Sequence, residues 1–396
     1  MSWSHDIVIV GGGVGGAVLG YMLTALGLDV CLLEKHKLPR YKPCGGGLTP
    51  RALKEFPLDI KEVLEVECYQ ASLEFRTKPI YKKESFIPIV SMIMRDRLDH
   101  YILLKAKDLC MTLKEGTKFL DIKGTWGDYV IATNNGNIKT KIIIGADGAL
   151  SQVAQKTQIQ RPNPWVWALE TELEPKNQRE MERFGSVARF DIGYEGSGYS
   201  WAFPKARHLS VGTSTINIAS SRSKENLQLY IKALGISDWV IKKKAFHPIP
   251  FRSTPFPKKP PPKAILIGDA AGLTDPITGE GIYYAIKSAK IFKDVLNEYM
   301  DYPELMHAFY YQKLEEELFS ELWYAHKIAH SFYSRPMLLH SLILLFGKSF
   351  VQRYYSIISG EKNYKSLVNV FILNLILKGA HTNEKRRNKR QKQNVG

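Results

Sequence analysis

Cysteine and long apolar runs are scarce in this chain, and their scarcity excludes several classes of protein. The four cysteines (Cys31, Cys44, Cys68 and Cys110) form no CxxC pair among 396 residues. This spacing predicts neither a disulfide framework nor a zinc site, and it favours a reducing compartment. No apolar stretch approaches the roughly 20 residues that span a bilayer. We also expect no secretory signal, because the first apolar run leads directly into a glycine turn, and we find no internal repeat.

Acidic residues are outnumbered by basic ones, and the net charge is +16. Such an excess predicts an anionic partner: a membrane surface, a nucleic acid or a phosphorylated ligand. Six of the eight residues at 385–392 are basic, and two late apolar runs (337–347 and 368–377) have lengths that suit buried or interfacial helices. We expect the C-terminal helices and the basic tail to contact an anionic membrane, with a merely solvated tail as the alternative, and we expect no nucleic-acid partner.

The N-terminal sequence has the pattern of strand, tight turn, helix and strand. Ile7 to Val10 form a continuous apolar run, apolar residues then recur at helical spacing, and Val30 to Leu33 form the next strand. Two further apolar runs, at 141–148 and 264–272, end in Gly-Ala-Asp and Gly-Asp. Between them, aromatic-rich alternation over 161–250 predicts an antiparallel sheet, and from about residue 283 the pattern is helical.

These patterns predict an α/β fold with a discontinuous Rossmann-like domain, an inserted antiparallel β-sheet substrate domain and a C-terminal helical region. We assign 1–75, 95–160 and 264–300 to the first domain, and 76–94 and 161–255 to the second. The helical region comprises 301–384, and the basic tail comprises 385–396.

The glycines after the first strand fit the dinucleotide-binding pattern GxGxxG. Gly11 permits the turn, Gly13 permits close approach of a pyrophosphate, and Gly16 permits close packing of helix and strand. Glu34 ends the second strand, where an acid can bond ribose hydroxyls, and Lys35 beside it belongs to the same predicted cofactor site.

The later motifs resemble those of flavoprotein hydroxylase-type folds. The resemblance implies that Asp269 in GDAAG bonds the ribityl chain of FAD, and that Asp147 in GADG lies near the flavin and a pyridine nucleotide. Arg95 matches the arginine that precedes a helix over the FAD. In PITGEGI (276–282), Gly279, Gly281 and Ile282 would direct a helix N-terminus at the flavin and pyrophosphate. Four elements in the family's order indicate FAD.

Two segments carry a narrower resemblance, to the geranylgeranyl reductase family. PCGGGLTP (43–50) is similar to its Cys-Gly-x-Gly element, and YSWAFP (199–204) is similar to its YxWxFP motif, although Ser214 replaces the final glycine of the VGxG that follows. The resemblance implies cofactor contacts by Cys44, Gly45 and Gly46. It also implies catalytic roles for Cys44, Tyr199 and Trp201, and substrate contacts by Tyr199, Trp201, Phe203 and Pro204.

The implied reaction is reduction of isolated C=C bonds in a polyprenyl chain by reduced FAD, with NADPH or reduced ferredoxin as the electron source. An isoprenoid requires an apolar tunnel, and aromatic faces would stabilise the tertiary cation formed if protonation precedes hydride transfer. The prenyl chain would belong to a pigment precursor, a membrane lipid or a quinone. The enzyme would lie at the cytoplasmic face of a membrane. The structural alternatives are an aromatic core for the YxWxFP side chains and a small buried hydrophobe for Cys44.

Two other functions stay open from the sequence. A flavin-dependent monooxygenase or halogenase acting on an aromatic compound would share the FAD motifs. A non-enzymatic prenyl-binding protein, similar to the GDP-dissociation inhibitor group, would share the broad fold but would have little use for Asp269 or Cys44.

Overall fold

The computed structural model describes residues 4–159, 164–195, 198–215, 220–252, 254, 263–300, 302–333, 348–349 and 351–368. Their strands form two seven-stranded sheets and one three-stranded sheet. The strands are β1 (Ser4–Val10), β2 (Val30–Glu34), β3 (Gly47–Leu48), β4 (Leu64–Cys68), β5 (Gln70–Phe75), β6 (Lys78–Glu84), β7 (Val90–Ile93), β8 (Thr112–Glu115), β9 (Phe119–Thr125), β10 (Asp128–Thr133), β11 (Gly136–Gly145), β12 (Pro164–Glu174), β13 (Val187–Asp191), β14 (Gly198–Pro204), β15 (Leu209–Thr215), β16 (Val240–Pro250) and β17 (Ile265–Leu266).

Helices cover the first sheet and form most of the later chain. They are α1 (Val14–Ala25), α2 (Pro50–Glu55), α3 (Arg95–Asp108), α4 (Gln152–Lys156), α5 (Ser220–Ala233), α6 (Ile282–Tyr299), α7 (Pro303–Leu314), α8 (Ser320–Tyr333), α9 (351–358) and α10 (Lys365–Val368). A π-helical turn, Glu315–Phe319, joins α7 to α8.

The first sheet unites three separate pieces of the chain, as the apolar runs predict. Its strand order is β8-β2-β1-β11-β10-β9, and β17 pairs with β11 in parallel. Strands β8, β2, β1 and β11 are parallel, whereas β9, β10 and β11 form an antiparallel meander. Every residue of β2 is buried, because helices cover a parallel sheet on both faces. The predicted α/β fold with a discontinuous nucleotide-binding layer is therefore confirmed.

The second sheet has the order β16-β12-β15-β14-β13-β5-β6. Its pairs are antiparallel except β13 with β5, which is parallel. Strands β5 and β6 come from an early part of the chain, so the predicted domain division between residues 75 and 76 falls between two paired strands. The domain boundaries stay a prediction.

The last described part of the chain is helical, as the spacing of its apolar residues predicts. No helix within the described residues is long and apolar enough to cross a bilayer. The predicted apolar helix at 337–347, residues 369–377 of the second apolar run and the basic tail lie outside the described residues.

Candidate active site

A cavity of about 760 Å³ lies where the two large sheets approach each other. Its wall contains the glycine turn after β1, the loop between β2 and β3, the ends of β11 and β17, and side chains of β12, β14 and β16. Helix α9 completes it with Tyr354 and Ile358. This volume is in the range of cofactor and ligand sites.

Two glycines can accept no side chain: Gly11 in the turn between β1 and α1, and Gly16 within α1. Gly11 has φ of +111°, and a Cβ there would lie 2.4 Å from the carbonyl oxygen of Ala146. A Cβ on Gly16 would lie 2.0 Å from the carbonyl oxygen of Gly11. Gly16 therefore sets the packing of α1 and does not line the cavity, whereas Gly11 and Gly13 do. No side chain caps α1, so its first N–H groups are available to an anion.

Glu34 is buried at the end of β2 and accepts three polar contacts. The backbone N–H groups of Gly12 and His36 donate to its two oxygens at 3.1 and 3.0 Å, and Arg40 Nε pairs with Oε2 at 3.1 Å. The carboxylate is therefore fixed beside the glycine turn. Lys35, next to it, is exposed and lines the same cavity.

Arg95 is the first residue of α3 and is buried, unlike an ordinary charge at a helix start. Its guanidinium makes a bidentate pair with Asp99 at 2.7 and 2.8 Å, and Asp99 also contacts Arg40 at 3.2 Å. A Cβ on Gly13 would lie 3.5 Å from Arg95 Nη2. The pairing with Asp99 thus holds a positive charge against the predicted pyrophosphate position.

Asp147 and Asp269 follow β11 and β17 and face the cavity from adjacent strand ends. Asp147 caps α4: the N–H groups of Gln152 and Val153 donate to Oδ2, and the Ser151 hydroxyl donates to Oδ1. Burial nevertheless raises the pKa of Asp147. Asp269 accepts from the Thr274 hydroxyl at 3.1 Å and lies 3.9 Å from Lys42 Nζ.

The turn before α6 brings Gly279, Gly281 and Ile282 to the cavity wall. Gly279 has φ of +72°, and a Cβ on Gly281 would lie 3.1 Å from Asp269 Oδ1. No side chain caps α6, so a second free helix N-terminus faces the site. Buried Asp275 shapes this turn by accepting from the N–H of Ile277 at 2.8 Å.

The loop PCGGGLTP packs directly on the aromatic side chains of β14. A Cβ on Gly45 would lie 3.1 Å from both the Phe203 ring and Trp201 Nε1. Gly46 has φ of +69°, and a Cβ there would lie 2.2 Å from the carbonyl oxygen of Ile93 and 2.5 Å from Lys205 Nζ. Cys44, Gly45 and Gly46 all line the cavity. The glycines are thus required by close approach to β14 and β7.

The aromatic residues of β14 form one wall. The ring centroids of Tyr199 and Trp201 are 6.0 Å apart, those of Trp201 and Phe203 are 6.4 Å apart, and Phe190 of β13 lies 5.1 Å from Phe203. The Tyr199 hydroxyl donates to the carbonyl oxygen of Thr278. Pro204 is buried at the end of the strand and does not line the cavity.

Two charged residues that the sequence did not indicate as site residues hold the loop that contains Cys44. Glu170 of β12 accepts from the backbone N–H of Cys44 at 2.8 Å and from the Tyr41 hydroxyl at 2.6 Å. Lys205 Nζ donates to the carbonyl oxygens of Gly45 and Ile93 at 2.7 and 2.9 Å. Burial raises the pKa of Glu170 to about 7 and lowers the pKa of Lys205.

Lys42 and His247 are further cavity residues that the sequence reading missed. Burial, together with repulsion from Arg95, lowers the pKa of Lys42. Burial and the charge of Lys42 lower the pKa of His247 to about 4, and its Nε2 has no hydrogen-bond partner among the described residues. The position of Lys42, two residues before Cys44, could have marked it as a site residue from the sequence alone. No sequence feature marks His247, since only the pairing of β16 with β12 brings it to the site.

The residues present fit FAD. Two uncapped helix N-termini, a glycine turn beside Arg95 and the fixed carboxylate of Glu34 supply the groups that a pyrophosphate and a ribose need. The indole N–H of Trp201 is buried and without a partner among the described residues, and Trp201 lines the same cavity. The residues that the structure describes contain no group of three potential metal ligands.

Comparison with known proteins also indicates FAD as the cofactor. The family described as an FAD binding domain matches residues 4–298. An uncharacterized protein of Methanosarcina barkeri is 29% identical, over 86% of this chain and 87% of its own. A geranylgeranyl diphosphate reductase of Synechocystis is also 29% identical, over 73% and 74%. A digeranylgeranylglycerophospholipid reductase of Methanothermobacter thermautotrophicus is 26% identical, over 74% and 78%.

Solved structures show the same fold. A geranylgeranyl bacteriochlorophyll reductase-like protein of Thermoplasma acidophilum superposes with a TM-score of 0.71 at 22% identity, covering 83% of this chain and 88% of its own. A halogenase superposes with a TM-score of 0.66 at 16% identity, covering 83% and 76%. The predicted resemblance to geranylgeranyl reductases is confirmed by these named relatives. The chain belongs to the FAD-binding-domain family and is an FAD-dependent oxidoreductase related to the geranylgeranyl reductases.

Proposed function

We propose that this enzyme reduces isolated C=C bonds of a polyprenyl chain carried by a lipid, a quinone or a pigment precursor. The observation that carries the proposal is the contact between Gly45 and the rings of Trp201 and Phe203, inside the cavity that the predicted FAD-binding residues line. This contact joins the two segments on which the family resemblance rests. The reductases of Synechocystis and Methanothermobacter, both named for geranylgeranyl compounds, support the same class of substrate.

Bound FAD supplies hydride in its reduced form, and the surrounding residues position the alkene and the proton. The rings of Tyr199, Trp201 and Phe203 exclude water and present electron-rich faces to positive charge that develops on a trisubstituted carbon. Cys44 lies beside this wall, with its backbone N–H held by Glu170. We propose that Cys44 delivers the proton or places the chain, and that Glu170 positions the loop.

Cofactor contacts are proposed for Gly11, Gly13, Glu34, Lys35, Arg95, Asp147, Asp269, Gly279, Gly281 and Ile282, together with Cys44, Gly45 and Gly46. Pro204 and Gly16 support the site through packing, because neither lines the cavity. Electrons come from NADPH or reduced ferredoxin. Anaerobic mixing of the oxidised enzyme with each donor, followed by flavin absorbance, distinguishes the two.

The enzyme is proposed to work peripherally at the cytoplasmic face of a membrane, with the C-terminal helices and the basic tail on anionic lipid. Comparison of polyprenyl lipids, quinones and pigments from cells with and without the gene tests the activity. Each reduced bond adds about two mass units, and identical lipid profiles would contradict the proposal.

A monooxygenase or halogenase is the second function, and it rests on the fold shared with a solved halogenase. Oxygen consumption coupled to hydroxylation or halogenation of an aromatic compound would favour it. Membership in the FAD-binding-domain family, together with relatives named as reductases, argues against a non-enzymatic prenyl binder.

A further inference from the structure

A short loop between β6 and β7 presents large apolar side chains to solvent. Phe86 is fully exposed and Ile87 is 57% exposed, whereas Ile89 at the end of the loop is buried. Tyr69, between β4 and β5, lies against this loop and is 42% exposed. We call Tyr69, Phe86 and Ile87 the apolar tip. Clustered exposure of this kind marks an interaction site.

Hydrogen bonds hold the apolar tip in position. The N–H of Ser85 donates to the carbonyl oxygen of Tyr69 at 3.0 Å, and the N–H of Ile89 donates to that of Cys68 at 2.8 Å. The N–H of Ile87 donates to the Ser85 hydroxyl at 3.2 Å. Because the loop is fixed at both ends, little ordering remains to oppose binding through its side chains.

Three lysines lie on β6, the strand that leads to the apolar tip. Lys78 and Lys82 are exposed, and Lys83 Nζ lies 4.8 Å from the centre of the Tyr355 ring. Two exposed carboxylates also lie nearby: Glu67 accepts from the Tyr69 hydroxyl and Glu84 accepts from Gln70 Nε2, each at 3.2 Å. These donors are neutral and do not offset the carboxylate charges, so the three lysines leave a small positive excess around the apolar tip. Apolar side chains flanked by lysines match an interface of acyl chains beneath anionic headgroups.

The apolar tip and the cavity share structural elements. The Ser85 and Tyr355 hydroxyl oxygens lie 3.3 Å apart, and the neighbours of Tyr355 on α9, Tyr354 and Ile358, line the cavity. Val90, the first residue of β7 after the loop, lines it as well. A surface that engages the loop therefore lies next to one wall of the cavity.

We propose that Phe86 and Ile87 insert into the headgroup–acyl boundary of an anionic bilayer while the lysines of β6 contact its headgroups. This surface is separate from the C-terminal segments considered above. Binding to the bilayer does not depend on the reaction, whereas transfer of a bilayer-borne prenyl chain to the cavity rests on the proposed function.

Sedimentation of the full-length, FAD-loaded protein with phosphatidylcholine vesicles, with and without phosphatidylglycerol, tests this proposal. Phe86→Ser/Ile87→Ser should lower the partition coefficient on anionic vesicles about tenfold or more. Lys82→Gln/Lys83→Gln should lower it about fivefold per lysine, and only on anionic vesicles. The matched control is Leu229→Ser/Leu305→Ser, which removes leucines that are 56% and 42% exposed on α5 and α7, and it should bind normally.

Unchanged vesicle binding by the Phe86→Ser/Ile87→Ser protein would overturn the proposal, and so would native protein that does not sediment with vesicles. Loss of concentration-dependent self-association in this variant, with vesicle binding intact, would assign the apolar tip to a second copy of the chain. If the serine variant does not fold, Phe86→Trp provides an independent measurement. The added tryptophan fluorescence, obtained by subtracting the emission of the native protein, should be quenched by brominated lipids. Absence of quenching would contradict insertion. None of these readouts requires prenyl reduction.

Discussion

At the scale of single residues, Glu170, which holds the loop that contains Cys44, matters to the proposed chemistry as much as Cys44 itself. Glu170 stands on a strand whose neighbouring side chains are buried, and its carboxylate bonds Cys44 and Tyr41. Burial of the charged form raises its pKa from 4.5 to about 7. The site therefore holds a proton near neutral pH beside the residue for which proton delivery is proposed.

Glu170→Gln should change stability in a pH-dependent way. The raised pKa means that the native carboxyl contributes fully to stability below pH ~4.5 and loses that contribution as pH rises through about 7. Glutamine accepts the same hydrogen bonds without charge. The free energy of unfolding of the variant, measured with urea, should therefore rise relative to that of the native protein between pH 5 and pH 8, by up to about 3 kcal/mol.

Glu174→Gln on the same strand is the matched control for this measurement. A hydrogen bond from Lys242 lowers the pKa of Glu174, so its removal should produce no gain with rising pH. Equal pH dependence of the two variants would contradict the account of Glu170.

Cys44→Ala and Cys44→Ser test the role of the thiol. Both should retain FAD, because only backbone groups of this loop are fixed by Glu170 and Lys205. If Cys44 delivers the proton, the rate should fall by about 10²-fold or more. Native rates in both variants would return Cys44 to a packing role.

At the scale of elements, the triple glycine is explained by what packs on it. The family resemblance implied cofactor contacts by Cys44, Gly45 and Gly46. The structure adds β14 and β7 as neighbours, because strands distant in sequence determine what the loop meets. Similarly, β1, β11 and β17 could be predicted from apolar runs, and 76–94, which contains β6, was assigned to the second domain. The place of β5 between β13 and β6 could not be predicted, since a six-residue strand of mixed polar and apolar residues carries a weak pattern.

Gly46→Ala should destabilise the protein more than Gly27→Ala. Both glycines have positive φ, +69° and +81°, but nothing lies within 4 Å of a Cβ on Gly27. Gly27→Ala thus measures the backbone cost alone, about 1 kcal/mol, and Gly46→Ala should exceed it by about 2 kcal/mol because the Cβ meets Ile93 and Lys205. Equal urea midpoints would contradict the described packing.

At the scale of the whole molecule, helix α9 near the C-terminus lines the candidate active site through Tyr354 and Ile358. The sequence indicated helices there, buried or interfacial, and we expected the C-terminal region to contact a membrane. In the structure the hydroxyl of buried Tyr364 donates to Asp275, which shapes the turn before α6 and lies 3.6 Å from Arg51. Long-range contacts of this kind leave no local pattern, which is why Tyr354, Ile358 and Tyr364 could not be predicted as parts of the site.

Tyr364→Phe should weaken both stability and FAD binding. The change leaves an oxygen of Asp275 short of one hydrogen bond in a fully buried position, at a cost of about 1–3 kcal/mol. Because Asp275 positions the turn that carries Gly279 and Gly281, the FAD dissociation constant should rise as well. Tyr302→Phe, at a tyrosine that is 57% exposed, is the control for both urea unfolding and FAD fluorescence titration.

The most direct test of the central claim is an anaerobic single turnover with purified protein. The FAD-loaded enzyme is reduced with dithionite, mixed with geranylgeranyl diphosphate or a geranylgeranyl lipid, and followed by flavin absorbance and mass spectrometry. We predict reoxidation of the flavin without oxygen and a product heavier by about two mass units per reduced bond. A flavin that stays reduced with every prenyl substrate until oxygen is admitted, and then yields a hydroxylated or halogenated aromatic product, would contradict the account.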